Sequence, residues 1–131
     1  MLYIGHFSFD EVNITGLARH GYFTMLTTAA DAEKAVEAFK NTIKRRKGKD
    51  QTFDAIAAVY IEDIIEIPTL PEEPVMTRLQ SSAGEFPESI SHSLPGEEQE
   101  GFKAYGFAID VMQIKTQPVH DYKEMTPFIR F

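Results

Sequence analysis

One stretch of this sequence is helical in pattern, and almost every other apolar run alternates. Residues 29–47 place Ala32, Ala35, Val36, Phe39 and Ile43 on one face at helical spacing, while Glu33, Lys34, Glu37, Lys40 and Asn41 fall largely outside it. Thr28 followed by Asp31 reads as an N-cap with a first-turn acid. Lys44-Arg45-Arg46-Lys47 before Gly48 reads as a cationic last turn closed by a left-handed cap. A lone amphipathic helix has one apolar face to bury, so the surface it covers has to be built from the strands around it.

Upstream, residues 2–9 alternate. Leu2, Ile4, His6 and Ser8 share one side; Tyr3, Gly5, Phe7 and Phe9 share the other, and the aromatic side is the one to bury. Residues 10–20 mix acids with Asn13 and Gly16 and read as a connection. Residues 21–27 carry Tyr22, Phe23 and Thr24, which favour a pleated surface, so the two runs predict a hairpin with a long loop.

Downstream, residues 56–67 predict a third strand. Strict alternation gathers Ala57, Val59, Ile61, Ile65 and Ile67 on one face and turns Asp63 into it, a costly place for a carboxylate without a partner. A bulge near Glu62-Asp63 flips the register and sends the acid outside, and that bulge, or a bend there, is the reading adopted. Residues 102–112 predict one further strand, with Tyr105, Phe107, Ile109 and Val111 on one side. Its other side carries the small Ala104, Gly106 and Ala108, against which something packs closely. The chain ends Pro127-Phe128-Ile129-Arg130-Phe131. Phe128 and Phe131 are candidate interface residues, docking either on this sheet or on another chain.

Between these strands lies a Pro-rich acidic excursion at about 68–101, holding five of the seven prolines. A short strand is expected at 75–80. The remainder has too few apolar side chains to offset its ordering entropy unless it docks on something. With 131 residues and no domain-separating linker, the whole chain 1–131 reads as one domain. The expected class is α+β: a mostly antiparallel sheet of four to five strands, with one long amphipathic helix packed on one face. The second face then needs a cover, from polar residues, from the excursion or from a second copy. The last option predicts a homodimer.

The residue inventory excludes much chemistry. There is no cysteine, hence no disulfide, thiolate metal site or cysteine nucleophile, which fits a cytoplasmic protein. A net charge of −7 argues against a general nucleic-acid binder, and no apolar run approaches the roughly 18 residues of a membrane span. The first residues show neither a basic region nor a cleavage site, so no secretory leader is expected. His6, His20, His92 and His120 lack the spacing that sets two imidazoles on one helical face, and neither a metal nor a cofactor is expected.

No catalytic residue is assigned. His120-Asp121-Tyr122 are contiguous, so on a strand they point alternate ways. Ser89, Ser91 and Ser93 around His92 read as a solvated loop, and no nucleophile motif accompanies them. Glu62, Asp63 and Glu66 form the densest acidic group and read as a solvated strand edge.

Charge placement is the most informative feature left. Residues 40–49 hold six of the thirteen basic side chains, whereas residues 50–101 hold twelve acids and a single base, Arg78. Lys44, Arg45, Arg46 and Lys47 are therefore the candidate binding residues, although cations at a helix C-terminus also answer the helix dipole. The first expectation is a small cytoplasmic, non-enzymatic protein–protein interaction domain that self-associates. The alternative is a small-molecule-binding protein or minor enzyme with a pocket between helix and sheet, drawing on His6, His120 or the Glu62 group. Weak RNA binding through the basic helix end stands third.

Overall fold

The computed structural model describes residues 1–12, 18–82, 89–95, 101–108, 111–114 and 126–131. Among the described residues, eight strands and one α-helix follow in the order β1 (Leu2–Glu11), β2 (Arg19–Thr28), α1 (Ala32–Arg46), β3 (Ile56–Ile67), β4 (Arg78–Ser82), β5 (Ser89–Ser93), β6 (Lys103–Ala108), β7 (Val111–Ile114) and β8 (Ile129–Arg130). The main sheet runs β2-β1-β3-β6-β7, with β8 also pairing β3, and every ladder in it is antiparallel. Strands β4 and β5 form a separate two-stranded sheet. The class is α+β, as the alternating runs around a single helix imply.

The helix starts three residues later than the Thr28 cap implies. Thr28 ends β2, and Asp31 is the N-cap, its side chain accepting the Lys34 N–H at 2.8 Å. That bond satisfies one of the orphan donors of the first turn, which is why an Asp serves there. At the other end Gly48 takes φ +85°, the left-handed conformation a side chain disfavours.

Helix α1 lays Ala32, Ala35, Phe39 and Ile43 on the sheet face formed by Tyr3, Phe7, Val59, Ile61 and Ile64. Phe7 is the hub of this core. Its ring stacks on Phe23 at 5.0 Å and meets Phe39 edge-on at 5.5 Å, geometries that aromatic quadrupoles favour. Gly5 makes room for it: a Cβ there would lie 2.7 Å from the Phe7 ring.

Two departures from regular geometry decide which side chains of β3 face which way. The register against β1 slips between His6 and Phe7, leaving Glu62 as the extra residue, and again between Asp10 and Glu11, leaving Ala57 extra. Ile56, Val59, Ile61 and Ile64 therefore face the helix, rather than the Ala57-led set that strict alternation selects. Ala58, Tyr60, Asp63, Ile65 and Ile67 take the second face. The single strand expected at 102–112 is instead two, β6 and β7, paired from Tyr105↔Ile114 to Ala108↔Val111. His120, Asp121 and Tyr122 lie outside the described residues.

Candidate functional site

The bulge at Glu62 is where the sequence predicts it, but the acids do not go to solvent. Glu62, Asp63 and Glu66 are 3%, 0% and 7% exposed on the central strand of the sheet, so the solvated-edge reading is wrong. The reason is topological. The excursion contributes the β4–β5 hairpin, which places groups over the second face of β3 that the sequence leaves unassigned.

Asp63 is the centre of the arrangement. One carboxylate oxygen lies 2.5 Å from His6 Nδ1, on the register-paired residue of β1. The other accepts the Ser93 hydroxyl from the end of β5. Beside it, Glu62 pairs with Arg78 at the start of β4. Arg78 and Ser93 are themselves cross-strand partners, so one rung of the hairpin meets two consecutive residues of β3. A regular strand would turn consecutive side chains to opposite faces; the bulge turns both carboxylates toward the hairpin. Across from Asp63 on β6 stands Gly106, one of the small residues expected to allow close approach.

Burial pushes the Arg78 guanidinium down to about 10, and Tyr22 acts in the opposite sense. It is still cationic at neutral pH, so the partner of Glu62 is a true charge. A buried pair of this kind is costly to break from one side, because the remaining ion stays desolvated.

The order of groups bears on chemistry. A hydrolytic triad needs the serine on the far nitrogen of the histidine. Here Ser93 sits on the carboxylate instead, so His6, Asp63 and Ser93 do not stand in the order of a hydrolytic triad. Among the described residues no group of three His, Asp or Glu side chains could hold a metal ion. On the helix side of the sheet, Glu66 accepts the Tyr3 hydroxyl at 2.8 Å, with Lys103 at 3.9 Å. Burial, and next the bond to Glu66, push the Tyr3 phenol well above its ordinary range.

The candidate binding residues at the helix end are mostly engaged. Lys47 Nζ donates to the carbonyl oxygens of Phe53, Asp54 and Ile56 at 3.3, 2.8 and 2.6 Å. Arg46 pairs with Asp50 at 2.9 Å, and Arg45 donates to the Thr42 hydroxyl at 3.0 Å. Lys44 is exposed. The basic cluster thus ties the helix to the turn that follows it.

Of the candidate interface residues, Phe128 packs against Phe7 of its own chain at 6.1 Å, and its N–H donates to the Val59 carbonyl. Phe131 is 41% exposed, with Lys47 Nζ 4.9 Å from its ring centre. A further surface escaped the sequence reading. β2 is a ten-residue strand at one end of the sheet, and among the described residues no strand pairs with its outer edge. From His20 to Thr28 it has no Lys, Arg, Asp, Glu or Pro, and Leu26 on it is 65% exposed. The signal was present as an uncharged strand run, but which strand lies at the edge is decided by pairings the run does not encode.

Among the described residues no helix is long and apolar enough to cross a membrane. No family model, no curated protein and no solved structure matches this chain.

Proposed function

We propose that this protein is a non-enzymatic interaction domain of the cytoplasm that self-associates, with β2 of one copy pairing β2 of a second. The observation that carries the reading is the β2 edge, ten residues long and uncharged between His20 and Thr28. An edge strand presents a row of outward N–H and C=O groups, and natural sheets blunt such edges with Lys, Pro, bulges or shortness. The opposite edge, β7, is four residues long; β2 has none of those devices in its centre.

A second copy is the occupant the strand fits best. Antiparallel pairing about a two-fold axis sets the β2 edge against itself, closes at two subunits and keeps each helix on the same face of a continuous sheet.

Light scattering behind size exclusion, at low and high salt, tests this. The expected mass is twice the 14.8 kDa of the chain at both salts. Leu26→Lys puts a charge on an exposed position of the edge and is expected to give the single-chain mass with the fold intact. A wild-type protein that stays a monomer at high concentration removes the proposal.

A second reading is favoured by the convergence of His6, Asp63, Arg78 and Ser93 at one place. It is a small-molecule site between hairpin and sheet, because aromatic core fills the space between helix and sheet. Thermal-shift screening of small polar ligands, with Asp63→Asn as the control, tests it. A ligand that stabilises both proteins equally does not use this cluster.

A further inference from the structure

We propose that two copies of the chain pair along residues 24–28 of β2 with Leu26 on the two-fold axis, so that Leu26 faces its own counterpart and Thr24 faces the partner's Thr28. This rests on the self-association proposed above and fixes its register. In an antiparallel ladder the N–H and C=O of one residue point to one side and those of the next residue to the other, so alternate residues serve each edge of a strand. Met1 and Ala29 show which residues of β2 serve which edge. The Ala29 N–H donates to the Met1 carbonyl at 3.0 Å, and the Met1 amino group donates to the Ala29 carbonyl at 2.9 Å. This pair extends the β1–β2 register, which runs without a slip from Leu2↔Thr28 to Glu11↔Arg19.

Odd-numbered residues of β2 therefore bond to β1, and the N–H and C=O groups of Thr24, Leu26 and Thr28 point outward. The same alternation holds at the end of β1, where the even-numbered Val12 turns its N–H away from β2 to the Ala55 carbonyl at 2.8 Å. Among the described residues nothing accepts from the N–H groups of Thr24, Leu26 and Thr28. The Thr28 carbonyl receives the Thr27 hydroxyl at 3.3 Å and keeps its second lone pair.

Exposure sets the register. Thr24, Leu26 and Thr28 lie on the face away from the helix, and all three are exposed, Leu26 at 65%. His20 and Tyr22 continue the same row but are half-buried. The open stretch is therefore residues 24–28, and matching it to its own copy puts the two-fold axis at its middle, Leu26. Each of three rungs then carries two backbone bonds: Thr24 with the partner's Thr28, Leu26 with the partner's Leu26, and Thr28 with the partner's Thr24. The two leucine side chains stand across from each other as a cross-strand pair on one face. Arg19, paired with Glu11 at 3.6 Å, stays beyond one end of the ladder. At the other end the chain bends at Ala30 and Asp31 into α1.

Amide hydrogen exchange of the full chain, dilute and concentrated, reads the ladder. The amides of Thr24, Leu26 and Thr28 are expected to exchange about tenfold more slowly, or slower still, in concentrated protein, while those of Met25 and Thr27, bonded to β1, stay protected at both concentrations. The chain has no cysteine, so a single introduced Cys reports one contact. Leu26→Cys is expected to oxidise to a covalent dimer, because directly opposed residues stand about 5.5 Å apart, within disulfide reach. Thr24→Cys is expected to stay uncross-linked, its counterpart lying about 14 Å away along the ladder. Slowed amides without a Leu26→Cys cross-link overturn this register and leave self-association through β2 standing. A monomer at high concentration, or a dimer whose Thr24, Leu26 and Thr28 amides exchange as in the dilute chain, overturns both.

Discussion

Arg78 and Ser93 face each other across the β4–β5 hairpin, and each holds one of two carboxylates that are neighbours in sequence. This pairing of a rung with a bulge explains why a run of acids sits on the central strand of the sheet. Glu62 and Asp63 are tolerated in the interior because the hairpin brings a cation and a hydroxyl to them, and because β1 brings His6. Each partner is remote in sequence, so the arrangement exists only once the sheet and the excursion have both folded.

The Arg78–Glu62 pair predicts a strongly non-additive pair of substitutions. Arg78→Leu alone leaves Glu62 buried beside a lost partner and is expected to cost about 3–5 kcal/mol of stability. Glu62→Leu alone strands Arg78 at a comparable cost. The double variant is expected to recover most of the loss, since neither buried charge remains. Urea denaturation of the four proteins measures it, and losses that simply add would mean the two residues do not act as a pair.

Gly5→Ala is expected to destabilise the fold by about 1–3 kcal/mol even though alanine suits a strand better. The new Cβ would fall 2.7 Å from one Phe7 ring atom and 3.0 Å from the Phe39 ring. Phe7 cannot yield without leaving its stack on Phe23. Thermal unfolding tests this, and the near-ultraviolet circular dichroism of the aromatic core should weaken with it. An unchanged midpoint would show that the rings move aside freely.

The contrast between these sites shows what a single chain reveals before it folds. The Phe7 face of β1, the helix-facing stripe of α1 and the position of the Glu62 bulge follow from local periodicity, because side-chain direction within one element depends only on spacing. The fate of Asp63 does not. Whether that acid is solvated or buried depends on residues 6 and 93, and local pattern says nothing about contacts across 30 positions or more. One clue was available: Arg78 is the only base among residues 50–101, set among twelve acids, and a lone cation there is the natural partner for a carboxylate that must be buried. The cap at Asp31 was missed for a smaller reason, since Thr28 and Asp31 are both good caps and only the end of β2 decides between them.

Within the basic cluster, Lys47 and Lys44 are expected to behave very differently. Lys47→Met removes the ammonium that bridges the carbonyls of Phe53, Asp54 and Ile56, and should cost about 1–2 kcal/mol. Lys44→Ala alters an exposed side chain and should stay within about 0.5 kcal/mol. Chemical denaturation ranks them. Equal, small effects would mean the carbonyls are as well served by water as by Lys47.

Stability should also fall on the alkaline side, through Tyr3. Its phenol is buried and donates to Glu66, so the folded protein holds that proton more tightly than the unfolded chain, in which a tyrosine titrates near its ordinary value of about 10. The stabilisation is complete below that value and is lost as pH rises above it toward the higher folded value, because the unfolded chain releases the proton first. Tyr60, raised by burial and by its bond to Asp10, adds in the same direction. Spectrophotometric titration should therefore find the Tyr3 phenolate appearing together with unfolding rather than before it. Tyr3→Phe should lower stability at neutral pH and flatten its decline above about pH 10. A Tyr3 phenol that ionises at an ordinary pH in the intact fold would show that the bond to Glu66 is not made in solution.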